Sequence, residues 1–168
     1  MKNIVLVGMP SCGKSTVGVL LAKNLGYKFI DTDLLIQQKQ GKLLCEIISE
    51  TGTDEFLKIE NHVGCELDVE NTVISTGGSM VYSGEAMAHL KKNGFVIYLK
   101  IDYPTLCQRL GDYVHRGVVL KNGATLEDMY AERSALYEQY CDAFVTEFGS
   151  IGQTITSCEK VARQLLGI

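Results

Sequence analysis

"VGMPSCGKSTVG", residues 7–18, holds the stretch Gly8-Met9-Pro10-Ser11-Cys12-Gly13-Lys14-Ser15, which fits G-x-x-x-x-G-K-[ST] without a gap. Glycines at the first and sixth positions let backbone N–H groups turn inward around phosphate oxygens. A helix starting directly after them adds the positive end of its dipole. In such a loop the lysine reaches the β- and γ-phosphates and the following hydroxyl ligates Mg²⁺, roles that fall to Lys14 and Ser15. The pattern carries weight only between a buried strand and a helix, and both are legible. "NIVLVG" (3–8) is a short continuous apolar run, typical of a strand buried on both faces. "KSTVGVLLAKNL" (14–25) has apolar residues at helical spacing and stops at Gly26, a C-cap candidate. The stretch predicts a bound nucleoside triphosphate, its phosphates held by Gly8, Ser11, Cys12, Gly13, Lys14, Ser15 and Thr16.

Outward from the loop, strands and helices take turns. "YKFID" (27–31) reads as a strand, "TDLLIQQKQ" (32–40) as the start of a helix, and 43–70 as helical with a break near "TGTD", where Thr53 or Asp54 can cap. "NTVIST" (71–76) and "FVIYLK" (95–100) are strands flanking a helix "GEAMAHLKKN" (84–93) closed by Gly94. Asp102 and Pro104 open a helix through Leu110. "GDYVHRGVVLKNGA" (111–124) is polar and interrupted by glycine, as a mobile loop is. A helix over 125–141, a strand "AFVTEF" (143–148) and a closing helix over 157–167 complete the chain. Strands separated by helices predict a five-stranded parallel sheet with helices on both faces, a three-layer α/β/α domain spanning 1–168.

Composition narrows the partners. The 168 residues carry 16 basic and 20 acidic groups, a net charge of −4, which disfavours an obligate nucleic-acid partner. No apolar run approaches the ~20 residues that span a bilayer, and the first residues are too short an apolar run for a secretory signal. A cytoplasmic monomer is the expectation. Six cysteines (Cys12, Cys45, Cys65, Cys107, Cys141, Cys158) form no Cys-x-x-Cys pair and read as reduced, mostly buried thiols, with Cys12 a small filler inside the loop.

The acceptor of the phosphoryl group has three candidate contacts. "DTD", Asp31-Thr32-Asp33, ends the second strand, and in an open α/β sheet ligands collect at strand carboxyl ends. One carboxylate can serve the metal and the other the acceptor hydroxyl; a helix cap at Thr32 or Asp33 is the bland reading. Gly77 and Gly78 follow the next strand and permit a substrate close to the backbone, or simply make a turn. Arg116 in the mobile loop and Arg133 on the helix after it can supply positive charge to a transferring phosphoryl group; alone, each is more often a solvated surface residue.

Together these residues, from Asn3 to about Phe148, resemble the shikimate kinase family of P-loop proteins. The resemblance implies ATP as co-substrate, Mg²⁺, shikimate as the small-molecule acceptor phosphorylated on its 3-hydroxyl, and a place in aromatic amino-acid biosynthesis. It makes Asp33 the group that binds the acceptor hydroxyl and helps accept its proton, Ser15 a Mg²⁺ ligand, and Asp31 the group that holds Mg²⁺ through water. Gly77 and Gly78 become substrate contacts, and residues about 33–62 the acceptor-binding helices. "RGVVL" resembles the family's lid signature, making Arg116 a catalytic lid arginine within a lid of about 111–124. "ERSALY" makes Arg133 a ligand for the shikimate carboxylate, and Arg109 stands where the family sets an arginine against adenine. Lys14, Asp33 and Arg116 form the implied catalytic set.

The departures gather around the acceptor. Where the family has Phe-Arg-x-x-Glu this chain has Phe56-Leu57-Lys58-Ile59-Glu60, so a carboxylate-binding arginine is replaced by Leu57. Lys58 is about 100° further around a helix and lacks bidentate geometry. One charge-assisted contact of this kind is worth about 1.5–3 kcal/mol, or tenfold to a hundredfold in affinity. The third glycine of the substrate loop is Ser79, the lid proline is Gly117, and the adenine-contact segment near 146–152 differs. A kinase for another small polyol or sugar acid, and a non-catalytic nucleotide-binding homologue, stand beside the leading reading. Glu60 is either a steadying group or part of a solvated helix face. His62, His89 and His115 form no ligand set, and the tyrosines of "YAERSALYEQY" read as packing.

Overall fold

Burial of both faces turns the apolar runs into the middle of a sheet. In this computed structural model, which describes residues 2–111, 117–121, 123–146 and 149–168, all six residues of β1 (Asn3–Gly8) are buried. The other strands are β2 (Lys28–Asp31), β3 (Thr72–Ser75), β4 (Gly94–Lys100) and β5 (Ala143–Thr146). Their order is β2-β3-β1-β4-β5 and every pairing is parallel, with Val5 opposite Ile74 on one side and Val96 on the other. Parallel neighbours need crossovers, and helices supply them. These are α1 (Lys14–Leu25), α2 (Thr32–Gln40), α3 (Leu44–Thr51), α4 (Thr53–Glu66), α5 (Gly84–Asn93), α6 (Tyr103–Leu110), α7 (Leu126–Tyr140) and α8 (Ile151–Leu166). The helices α1 and α8 pack together against the sheet, while α5 and α7 cover β1 and β4. The three-layer expectation holds.

The main core lies around β1 and β4, and a smaller apolar cluster of Ile36, Ile47, Phe56, Val63 and Val119 joins α2, α3 and α4. That second cluster makes α2, α3 and α4 a unit of their own. Among the described residues no helix is long and apolar enough to cross a membrane.

Several boundaries differ from the sequence reading, each for a local reason. Helix α4 stops at Glu66 rather than near residue 70, because the chain must turn through left-handed Asn71 (φ 52°) to enter β3. Its N-cap is Gly52, not Thr53 or Asp54, and no side chain caps it. Gly94 closes α5 as read, in an extended conformation (φ −156°), and is also the first residue of β4, so α5 runs into the strand without a loop. Helix α8 starts six residues earlier than expected, at Ile151, where Ser150 accepts a hydrogen bond from Gln153 N as N-cap. Asp102 caps α6 as read, accepting from Thr105 N. Of the cysteines only Cys12 and Cys158 are buried; Cys107 is exposed and the others are half-buried, so "mostly buried" was too strong. Residues 112–116 of the expected lid, with His115 and Arg116, lie outside the described residues, as do Asn122, Glu147 and Phe148.

Candidate active site

The carboxyl ends of β1, β2 and β3 converge on one cavity of about 310 Å³. On one wall is the glycine-rich loop. Gly13 takes a left-handed conformation (φ 92°) as the N-cap of α1 and offers no side-chain cap. The first backbone N–H groups of α1 are therefore without side-chain acceptors and suit an anion. Lys14 is buried and its Nζ donates to Gly8 O (2.9 Å) and Met9 O (2.8 Å), so it lies along the loop. Ser11, Gly13, Lys14, Ser15 and Thr16 line the cavity; Gly8 and Cys12 lie beneath it, Cys12 being 4 % exposed, as a filler is.

The three residues of "DTD" divide three tasks. Asp31 Oδ1 caps α2, accepting from Asp33 N (3.0 Å) and Leu34 N (3.3 Å), while its Oδ2 accepts from Ser15 Oγ (2.6 Å). Thr32 is fully buried and its Oγ1 accepts from Gly77 N (2.9 Å), tying the substrate loop to α2. Asp33 is thereby released from capping, and its carboxyl lines the cavity. The bland reading of Thr32 or Asp33 as cap is corrected: the cap is Asp31. Burial pushes the Asp33 carboxyl up to about 6, the Asp31 charge adding and Lys14 opposing.

Ser15 and Asp31 together present a hydroxyl and a carboxylate, hard oxygen donors that fit Mg²⁺. Among the described residues no cluster of three or more His, Cys, Asp or Glu forms a protein cage for a metal.

The opposite wall is made of side chains. Arg133, 1 % exposed, reaches from α7; its NH2 donates to Val119 O (2.5 Å) and its Nε to Tyr82 Oη (3.4 Å). Gly78 lets the chain pass close to it: a Cβ there would sit 3.1 Å from both Arg133 NH1 and Pro10. At Gly77 a Cβ would meet Asp33 Oδ1 and Glu60 Oε1, each at 2.5 Å, so any side chain at this position would displace a carboxyl. Glu60 is 1 % exposed and hydrogen-bonded to Ser79 Oγ, which corrects the solvated-face reading. Its acid is pushed up to about 8, chiefly by burial and secondarily by Asp33, against Ser79, Arg133 and Lys14.

The departures read in the sequence have definite places. Leu57 packs against the apolar cluster of the acceptor-side helices. Lys58 is turned to solvent and pairs with Glu55 (3.0 Å), so its charge does not enter the cavity. Gly117 has φ 66°, which the fixed ring of proline cannot adopt. Val118 and Val119 after it line the cavity, and a Cβ at Gly117 would press on Leu44 of α3. Arg109, in the last turn of α6, does not line this cavity.

Two groups had escaped the sequence reading. Tyr137, grouped there with packing tyrosines, donates its Oη to Gly78 O (2.5 Å) and so fixes the substrate loop from α7. Ser79, noted only as a missing glycine, is the partner of Glu60. The helical periodicity of Tyr137 marked it as inward-facing, but nothing in the sequence named its acceptor.

Comparison with known proteins bears on this geometry. The family model for shikimate kinase matches residues 10–166. A shikimate kinase of Clostridium botulinum (strain Alaska E43 / Type E3) is 38% identical over 164 residues, covering 96% of this chain and 98% of that protein. Another, from strain 657 / Type Ba4, is 42% identical over 146 residues, 83% of this chain and 84% of its own. Among solved structures, shikimate kinase from Acinetobacter baumannii in complex with shikimate superposes with a TM-score of 0.86 at 29% identity, covering 99% of this chain and 94% of that one. A gluconokinase from Sinorhizobium meliloti 1021 shares the fold at 15% identity and a TM-score of 0.55, over 98% of this chain and 95% of its own.

Proposed function

The chain belongs to the shikimate kinase family, and from that premise we propose that it transfers the γ-phosphoryl group of ATP to the 3-hydroxyl of shikimate. The observation that carries the reading is Asp33: with Asp31 taking the helix cap, its carboxyl lines the same cavity as Lys14, Ser15 and Arg133.

The phosphates of ATP rest on the N–H groups at the head of α1, with Lys14 leaving the Gly8 and Met9 carbonyls to meet the β- and γ-oxygens. Shikimate lies between Asp33, Gly78 and Arg133, its carboxylate taken by the guanidinium and its 3-hydroxyl donating to Asp33. As the acceptor oxygen bonds to the γ-phosphorus, the bond to the β–γ bridging oxygen breaks, ADP leaves and the hydroxyl proton passes to Asp33. A base near 6 is close enough to neutral pH to be ionised before transfer and protonated after it. Ser15, and Asp31 through water, would hold Mg²⁺, which would supply neutralisation of phosphate charge. Arg116, outside the described residues, is assigned to the phosphates and Arg109 to the adenine. All these residues come from one chain, so a monomer suffices.

Asp33→Asn tests this assignment. Turnover with shikimate should fall by about 10²–10⁴ while ATP affinity stays within about twofold. Near-normal turnover would remove Asp33 from the transfer step.

A further inference from the structure

The acceptor wall holds a second carboxyl that the transfer step does not use. Glu60 sits in the middle of α4, 1 % exposed, and lines the cavity. Its Oε2 accepts from Ser79 Oγ, and its Oε1 reaches the space beside Gly77 where Asp33 Oδ1 also arrives. Among the described residues its hydrogen-bond partner is a hydroxyl and not a cation. Three charged groups face it: Asp33 from α2, Lys14 from α1 and Arg133 from α7. Those on the other elements packed against α4 are turned elsewhere: Glu50 of α3 pairs with Lys42, Glu46 accepts from Leu43 N, and Glu85 of α5 accepts from Asn61. On α4 itself Glu55 pairs with Lys58, and Glu66 with His62 and with Lys39 of α2, on the solvent side.

An ionised carboxylate in this position would give up its hydration for a single hydroxyl donor, while a neutral acid loses far less. We propose that Glu60 works as an uncharged carboxylic acid held in place by Ser79, and that it sets the charge class of the acceptor: the cavity admits an anionic acceptor while Glu60 keeps its proton and disfavours it once the proton is lost. With Glu60 neutral, the charged groups of the described lining are Lys14 and Arg133 against Asp33, an excess of positive charge that suits a carboxylate. With Glu60 ionised that excess vanishes, and a second negative charge stands next to the first. The neutral acid also carries an O–H donor on Oε1, the oxygen that Ser79 does not engage, beside Asp33 Oδ1. Glu60 is thus a specificity-determining residue and Ser79 its positioning residue. Burial puts the change of state near pH 8.

The test has two arms, and only the second rests on shikimate being the acceptor. In the first, the side-chain carboxyls of ¹³C-glutamate-labelled protein are titrated by NMR, with Glu60→Gln identifying the resonance. Glu60 should titrate with a midpoint near 8. Ser79→Ala should move it to higher pH, because the donated hydrogen bond favours the charged form. A midpoint in the ordinary glutamate range, around 4–5, overturns the proposal. So does a midpoint that Ser79→Ala leaves in place. In the second arm, KM for shikimate should rise about fivefold or more between about pH 7 and pH 9.5, while KM for ATP changes less than about twofold. Glu60→Gln should flatten that profile, and an undiminished rise in the variant overturns the proposal. Should the wild-type chain fail to use shikimate at any pH, the functional reading falls while the NMR arm still decides the state of Glu60.

Discussion

In the site we propose, the phosphate wall of the cavity offers backbone N–H groups at the head of α1, with Lys14 laid along the loop carbonyls. The acceptor wall offers side chains gathered from four separate segments: Asp33 on α2, Glu60 on α4, Ser79 after β3 and Arg133 on α7. The first wall is built from one continuous stretch, and its chemistry is indifferent to most side chains in it. The second depends on distant residues meeting, so one replacement there changes what can be bound. Of the departures from the family pattern, Ser79 and Gly117 line the cavity, while Leu57 packs into the apolar cluster of α2, α3 and α4. Phosphoryl donors are common to many kinases and acceptors are not, and the two walls divide that generality and that specificity.

After Asp33→Asn, the largest effect should come from the phosphate wall. Lys14→Met removes a charge aimed at the transferring group, and kcat should drop about 10²–10³ whichever acceptor is offered. A loss confined to one acceptor would break the comparison. Gly77→Ala acts where the walls meet. Its methyl group would collide with Asp33 and Glu60, and misplacing the base should cost up to about a hundredfold in kcat/KM. Arg133→Lys keeps the charge and loses the fork, so KM for shikimate should rise about tenfold to a hundredfold with KM for ATP unchanged. Equal changes in both constants would place Arg133 outside the acceptor wall.

Stability supplies a smaller and independent signal. The Glu60 acid is near 8 in the folded protein and at 4.5 when free, so the folded state binds that proton more tightly. The stability this gives is complete below about pH 4.5 and lost as pH climbs through 8. Glu60→Gln should therefore compare better with wild type at pH 9 than at pH 5, by about 2–4 °C in Tm for each kcal/mol recovered. A pH-independent difference would mean an ordinary glutamate. Smallest of all, Lys58→Ala should change KM for shikimate by less than about twofold, since its exposed pair with Glu55 carries little energy. A large rise would show that Lys58 bends inward after all.

The same division governs what the sequence made legible. The strand–loop–helix around Lys14 is local, and periodicity with two glycines was enough to place it. The alternation of apolar runs with helices likewise revealed the five parallel strands, though β3-β1-β4 adjacency depends on burial that no local pattern encodes. Asp33 was singled out, but which member of "DTD" caps α2 was not, because Asp and Thr can both cap a helix start. Glu60 and Ser79 are 19 residues apart and meet only through the packing of α4 on the substrate loop. Helix α8 was shortened because Ile151, Gly152 and Thr154 are weak helix formers, and tertiary packing on α1 outweighs that propensity.

The most direct measurement is ADP release from magnesium-ATP with shikimate and with a panel of polyols and sugar acids, each at saturation. Stimulation by shikimate above every other compound is the predicted result, and it would show that the cavity takes shikimate although Leu57 has replaced a guanidinium. Silence with shikimate and stimulation by an uncharged polyol would contradict the account at its centre.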